Sequence, residues 1–194
     1  SHIKRAQIEG VGPVTVIDAE AIQRSGVTSV DVLLQRLSAS AGFAGNQTNA
    51  YWVSNGYGTS QVNLRGLGIN RTLVLLNGRR IVNGGTGANS SVDLNMIPLA
   101  LIDRIEVLKD GASAVYGSDA VAGVVNVIPR QNFEGAEVGG SFGGADQGGL
   151  HEQSLKFVGG LGDIDKDGYN ILFSLQAYNR ERLDQDERNL TKSG

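Results

Sequence analysis

The sequence contains no cysteine. Disulfides and thiolate metal sites are therefore excluded, which suits a reducing compartment without requiring one. No segment approaches the roughly 18–20 consecutive apolar residues of a transmembrane helix. There are 3 prolines and no Gly-X-Y period, so a collagen-like chain is excluded. The 2 histidines, His2 and His151, are too isolated to suggest a metal site. Nor is there an excess of positive charge: the formal net charge is −3, and neither half of the chain is basic enough to read as a nucleic-acid binder.

What the sequence has in quantity is glycine, 28 of 194 residues, about twice ordinary usage. Glycine in that amount favours turns, close backbone approaches and short strands over long helices. The chain is long enough for one or two domains with a sizeable core. Its charge is uneven. Residues 1–130 carry 11 Lys and Arg against 9 Asp and Glu, whereas residues 131–194 carry 6 against 11. The break near Pro129 predicts two structural regimes, 1–130 and 131–194.

In the first regime, Val14, Val16 and Ile17 predict a strand, and Asp18 is placed to cap a short helix ending at Gly26. Val30, Leu33, Leu34 and Leu37 fall on one face of a second helix within 28–40, with Thr28 or Ser29 as its cap. Residues 61–66 (QVNLRG) alternate as a strand. Residues 71–82 (RTLVLLNGRRIV) read as a hairpin turning at Asn77-Gly78, the strongest two-residue hairpin signal. Pro98 predicts the first position of a short apolar helix, followed by a strand from Arg104 to Lys109. A small-residue helical segment (DGASAVYGSDAVAG) then leads to the strand VVNVI. The first 130 residues thus mix short strands and short helices in one compact domain.

In the second regime the pattern alternates. It is clearest near 169–180, where Tyr169, Ile171, Phe173, Leu175 and Ala177 share one face and mostly polar residues the other. That is the period of an amphipathic strand. It fits a meander with one wet face, and it fits the alternating segments of about 10 residues that build outer-membrane barrels.

Several motifs dissolve on inspection. Asp163, Asp165, Asp167 and Gly168 begin like a calcium loop, but the twelfth position is Ser174 instead of a bidentate Glu, so an acidic hairpin turn is the reading. Residues 65–70 (RGLGIN) have Gly-x-Gly, yet Arg71 stands where the third glycine belongs and a strand follows where a helix should. The segment 111–118 (GASAVYGS) lacks the Gly-Lys-Ser/Thr of a phosphate loop. Asp103 and Glu106 flank a strand start, and no Ser, His and acid form a recognisable set. The sequence supports neither an enzyme nor a bound cofactor.

Two features carry binding chemistry. Residues 37–64 contain no charge, and within the loop 43–60 Tyr51, Trp52 and Tyr57 offer flat contact area with polar tips. They either contact a ligand or cover a Gly-rich hairpin. A second uncharged loop runs through 83–92, from Asn83. Separately, Arg65, Arg104 and Lys109 sit in or beside strands of apolar and small residues. Such cations need partners or a wet surface. Glu106 is a partner for one of them; otherwise they meet another protein surface.

Taken in order, VNLRGLGINRTLVLLNGRRI, IPLALIDRIEVLKDGASAVYGSDAVAGVVNVI and FEGAEVGGSFG resemble the plug domain of TonB-dependent outer-membrane receptors running into the first barrel strands. The likeness covers roughly residues 13–142. It implies an α+β fold: a compact plug domain with a short mixed sheet and short helices (1–130), then two or three amphipathic antiparallel strands from the start of a transmembrane β-barrel (131–194). In such receptors the plug sits in a 22-stranded barrel. The implied function is energy-coupled import of a scarce nutrient, an iron chelate, a cobalamin or an oligosaccharide, across the outer membrane of a Gram-negative bacterium. The implied partners are the chain's own barrel, the TonB protein acting through a segment upstream of residue 1, and a small-molecule or oligosaccharide substrate. Arg65, Arg104, Glu106 and Lys109 match a charged plug–barrel latch, and Tyr51, Trp52, Tyr57 and Asn83 are the substrate contacts it suggests. Pro129 stands where relatives usually have Thr. With so little barrel, the chain is expected to be a fragment. The competing expectation is a self-contained soluble module that binds a ligand with loops 43–60 and 83–92.

Overall fold

The computed structural model describes residues 14–40, 59–84, 91–144 and 151–180. The chain divides into two compact units, Ser1–Arg130 and Gln131–Gly194.

The first unit opens with strand β1 (Val14–Asp18) and helix α1 (Ala19–Arg24). Asp18 caps α1 as its sequence position predicts: its backbone is extended, and its carboxylate accepts from the Ala21 N–H at 2.7 Å. Helix α2 (Val30–Gln35) is shorter than the 28–40 window, and Ser29 at its N-cap makes no side-chain cap bond. Its apolar face is the expected one, with Val30, Leu33 and Leu34 buried.

Residues 61–66 do not form the predicted strand; a single bridge joins Ser40 to Leu64. Scattered partners replace a ladder. The Leu64 N–H donates to Thr72 Oγ1 (3.1 Å) and the Arg65 N–H to the Ala39 carbonyl (2.7 Å), while just ahead of the segment the Ser60 N–H donates to Asp93 Oδ1 (2.9 Å). The chain then turns through left-handed backbone at Arg65 (φ 56°) and Gly66 (φ 69°). Residues 60–64 are buried in succession, with no wet face to give the alternation its usual meaning.

The hairpin forms where Asn-Gly demands it. Strands β2 (Thr72–Leu76) and β3 (Arg79–Arg80) flank Asn77 (φ 50°) and Gly78 (φ 76°), the two positive φ angles of a type I′ turn. The helix expected from Pro98 is replaced by two 3₁₀ turns, Leu94–Met96 and Leu99–Leu101. Pro98 caps the second with extended ψ of 122°, and the chain is already extended at Ile102, two residues earlier than predicted. Strand β4 (Ile102–Leu108), helix α3 (Ser113–Tyr116) and strand β5 (Gly123–Pro129) follow.

The sheet order is β1-β4-β5-β2-β3, antiparallel except for the parallel β2–β5 pair. On one face Val74, Ile105, Val107, Val125 and Val127 pack with α1 and α2 residues such as Ile22 and Leu34. On the other, Leu73, Leu75, Leu108 and Val124 meet Ala112 and Ala120 of the small-residue segment. Central β5 is therefore buried on both sides, which is why it reads as a continuous apolar run.

The second unit is an antiparallel sheet of β6 (Gly135–Gly144), β7 (His151–Leu161) and β8 (Ile171–Arg180). Register pairs Val138, Phe157 and Leu175 across the three strands. Residues paired this way share a face. One face therefore carries Val138, Phe142, Leu155, Leu161, Ile171, Phe173 and Leu175, all large, apolar and exposed. The opposite face is mostly polar, with Ser141, Ser154, Lys156, Ser174 and Gln176, and also carries Val158, Leu172 and Tyr178. Tyr169 precedes β8 instead of lying in it.

The β7–β8 connection is the acidic turn that the sequence suggested. Asp163 Oδ1 accepts from the Asp165 N–H, and Asp167 Oδ2 from the Asp163 N–H, both at 2.9 Å. Lys166 Nζ lies 3.1 Å from Asp163 Oδ2. The Asp165 N–H and then Lys166 lower the Asp163 pKa, and Asp163 in turn raises that of Lys166.

Candidate gating and ligand-contact site

The small-residue segment between β4 and β5 is pinned from two sides by arginines. Arg65, on its left-handed turn, donates from Nε to the Ala122 carbonyl (3.2 Å) and from Nη2 to the Val121 carbonyl (2.8 Å). Its Nη1 also stands 3.7 Å from Asp110 Oδ1, in an exposed pair that adds little stability. Close approach is possible because the neighbouring residues are small. A Cβ on Gly123 (φ 139°) would stand 2.4 Å from the Leu108 carbonyl oxygen and 2.9 Å from Leu64 Cδ1.

From the hairpin side, Arg80 donates to the Tyr116 carbonyl and to Asp119 Oδ2. The Arg80 guanidinium holds the Asp119 carboxyl below its ordinary value; partial burial opposes this, and the Ser118 hydroxyl assists it. Sequence reasoning did not single out Arg80 or Asp119. The two-residue Asn-Gly turn fixes where the Arg80 side chain emerges, but not which segment it meets.

A second polar group lies within the sheet. Glu106 on β4 is 1% exposed. Its Oε1 accepts from Arg104 Nε (3.2 Å) and its Oε2 from Asn126 Nδ2 (3.3 Å). Asn126, fully buried on β5 and in register with Glu106, uses its Oδ1 to accept the Gly78 N–H at 2.9 Å. Arg104 Nη1 also donates to Asp103 Oδ2 (2.8 Å). Burial lowers the Arg104 pKa, but Asp103 and Glu106 outweigh it, so the net shift is upward. Of the four charged residues singled out from sequence, the structure joins Arg104 to Glu106. It places Arg65 against residues 121–122. No hydrogen bond or ion pair is drawn from Lys109 to the other three among the described residues.

A cleft of about 510 Å³ opens beside the hairpin, lined by Thr72, Arg80, Val82, Asn83, Ser91 and Asp119 among others. Asn83 is thus at a cavity wall. The neck of the 83–92 loop is closed by a Gly84–Ser91 bridge, the Gly84 N–H donating to the Ser91 carbonyl at 2.9 Å. Ser91 Oγ is buried with no hydrogen-bond partner among the described residues, a polar atom that a ligand or water would satisfy. Tyr51, Trp52 and Tyr57 lie outside the described residues, as does nearly all of loop 43–60. The arrangement offers hydrogen-bond donors, acceptors and ion pairs.

A family model described as TonB-dependent Receptor Plug Domain matches residues 6–124. Solved structures with the same fold include the siderophore receptor PirA from Acinetobacter baumannii, at 21% identity and a TM-score of 0.63, covering 97% of this chain and 27% of that one. The unliganded ferric citrate transporter FecA matches at 21% identity and 0.65, covering 93% and 27%. A mutant of the ferric enterobactin receptor PfeA from Pseudomonas aeruginosa, in complex with enterobactin, matches at 22% and 0.58, covering 89% and 25%. The chain spans about a quarter of the length of these structures.

Proposed function

Since the chain belongs to the TonB-dependent receptor plug domain family, we propose that it is the plug and first barrel strands of an outer-membrane active-transport receptor. On this reading unit 1–130 is the plug and unit 131–194 begins the barrel wall. The observation that carries it is the β6–β8 sheet. One face is dominated by large, apolar, exposed side chains, whereas the other is mostly polar, as a strand set between lipid and a wet lumen requires. A self-contained soluble module would have to leave that face in water, at odds with the small apolar patches of soluble monomers.

The working cycle is conformational and involves no covalent chemistry. A scarce nutrient binds at the cleft bounded by Asn83, Arg80 and Ser91, together with the aromatic loop bearing Tyr51, Trp52 and Tyr57. The TonB protein pulls on a segment upstream of residue 1, and the plug shifts to open a path. Arg65, Arg104, Glu106 and Lys109 form the latch between plug and barrel. Ion pairs serve this role because they hold firmly when both partners are present and become costly when one leaves. The substrate is an iron chelate, a cobalamin or an oligosaccharide. Ferric chelates head the panel because receptors of the same fold are named for them.

The test is uptake by cells producing the full-length receptor that contains this chain. Labelled ferric chelates, cobalamin and oligosaccharides are offered before and after collapse of the inner-membrane proton gradient. Gradient-dependent uptake of one class, abolished by Arg104→Ala, supports the reading. Uptake of none, or uptake indifferent to the gradient, overturns it.

A further inference from the structure

The polar groups within the sheet form one unbroken chain: Arg104 to Glu106, Glu106 to Asn126, Asn126 to the Gly78 N–H. It begins at a partly exposed guanidinium and ends in the hairpin turn that carries Arg80 and leads to Asn83. We propose that Asn126 is a positioning residue that couples the Arg104–Glu106 ion pair to the β2–β3 hairpin, so that release of Arg104 loosens the wall of the ligand cleft. The functional meaning rests on the gating reading above; the coupling itself does not.

Three observations carry the inference. First, Asn126 is the polar break in the otherwise apolar run Val124–Ile128, and it is fully buried. A buried carboxamide is retained at a cost unless both its ends are satisfied. Here the donor end serves Glu106 and the acceptor end serves Gly78. Second, a carboxamide is planar, so its two ends turn together. If Arg104 leaves, Glu106 keeps a buried negative charge with Asn126 as its remaining side-chain donor, and the amide is drawn towards it. The same rotation swings Oδ1 away from Gly78. Third, the Asn126 bond is the side-chain tie at the turn. The remaining holds are backbone ones, the Leu76–Arg79 pairing and the Asn77 N–H donated to the Val127 carbonyl at 2.8 Å, and Asn77 Oδ1 is buried with no partner among the described residues. Loss of the Gly78 bond therefore leaves the turn without that tie. From the turn, the motion reaches β3, whose Arg80 holds Tyr116 and Asp119 beside the cleft.

The experiment is amide hydrogen exchange by NMR on the 194-residue chain in detergent micelles, read at Gly78, with the Leu64 N–H on Thr72 Oγ1 as internal control. Arg104→Gln is expected to speed Gly78 exchange about three- to tenfold while Leu64 changes less than about twofold. In an Asn126→Ala background the same Arg104→Gln change should no longer affect Gly78; a merely structural Asn126 would leave the two effects additive. Because Asn126→Ala can compromise folding, the Asn126 side-chain amide resonances are followed in Arg104→Gln alone, and they should shift together with Gly78. An unchanged Gly78, additive effects, or a stationary Asn126 amide would overturn the coupling. None of these readouts depends on transport, so failure of the import reading would show separately in the uptake assay.

Discussion

Arg104 Nε stands 3.2 Å from Glu106 Oε1, yet the two residues are unequally exposed: the Arg104 side chain keeps 27% of its surface in water and Glu106 keeps 1%. The asymmetry predicts which half of the pair is dangerous to remove. Arg104→Met leaves a buried carboxylate without its main counter-charge, and should cost about 3 kcal/mol. Adding Glu106→Gln removes the charge and keeps an acceptor, so the double variant should recover at least half of that loss. Urea denaturation followed by circular dichroism checks both. A double variant less stable than Arg104→Met alone would mean that the carboxylate is stabilised by something other than Arg104.

Gly123 should be nearly irreplaceable. Its φ of 139° strains any L side chain, and an added Cβ would fall 2.4 Å from a backbone oxygen that cannot move without opening β4. Gly123→Ala is expected to cost about 3 kcal/mol or more, or to abolish folding. Gly84→Ala, whose Cβ would make an ordinary 3.5 Å contact with Asp93 Cβ, is the control and should be nearly neutral. Equal thermal midpoints for the two variants would contradict the packing account.

Much of this architecture was legible in the sequence, for local reasons. Asn77-Gly78 admits few turns, Asp18 is a strong cap, and VVNVI can be buried on both faces. The failures are also physical. Residues 61–66 alternate like a strand, but 60–64 are buried throughout, the Leu64 N–H goes to the Thr72 hydroxyl and the Arg65 N–H to the Ala39 carbonyl. The helix expected at Pro98 loses to a sheet that needs Ile102 extended. At the site, opposite charges at positions 104 and 106 share a strand face by simple periodicity, so that pair was visible. The hold of Arg80 on Tyr116 and Asp119 was not, because it depends on how the hairpin meets a segment some forty residues on.

The Asp119 carboxyl, held down mainly by Arg80 from an ordinary value of 3.8, should titrate below it in the folded chain. A depressed folded pKa contributes stability that is present above the unfolded value and lost as pH falls through the folded one. Wild type should therefore exceed Asp119→Asn in stability near neutrality, and the two should converge as pH drops below about 4. Both groups are half-exposed, so the gap should be small and shrink in salt. Carbon-13 titration of the Asp119 carboxyl reads this directly, and a midpoint at or above 3.8 would break the argument.

The two faces of the β6–β8 sheet should respond oppositely to charge. Leu155 lies on the apolar face, 59% exposed, with Gly140 and Ala177 across the strands. Its neighbour Ser154 points the other way, towards Ser141, with the two hydroxyl oxygens 2.7 Å apart. If the apolar face meets lipid, Leu155→Arg places a guanidinium in hydrocarbon at a cost of about 2–4 kcal/mol near the midplane, whereas Ser154→Arg projects into a polar space and costs little. In cells producing the full-length receptor, Leu155→Arg should sharply reduce the folded, outer-membrane-inserted fraction and Ser154→Arg should leave it near wild type. The reverse order would place the polar face against lipid and undo the barrel-wall assignment of residues 131–194. Equal tolerance of both would mean that neither face meets a membrane, and the apolar stripe would then have to be covered by protein.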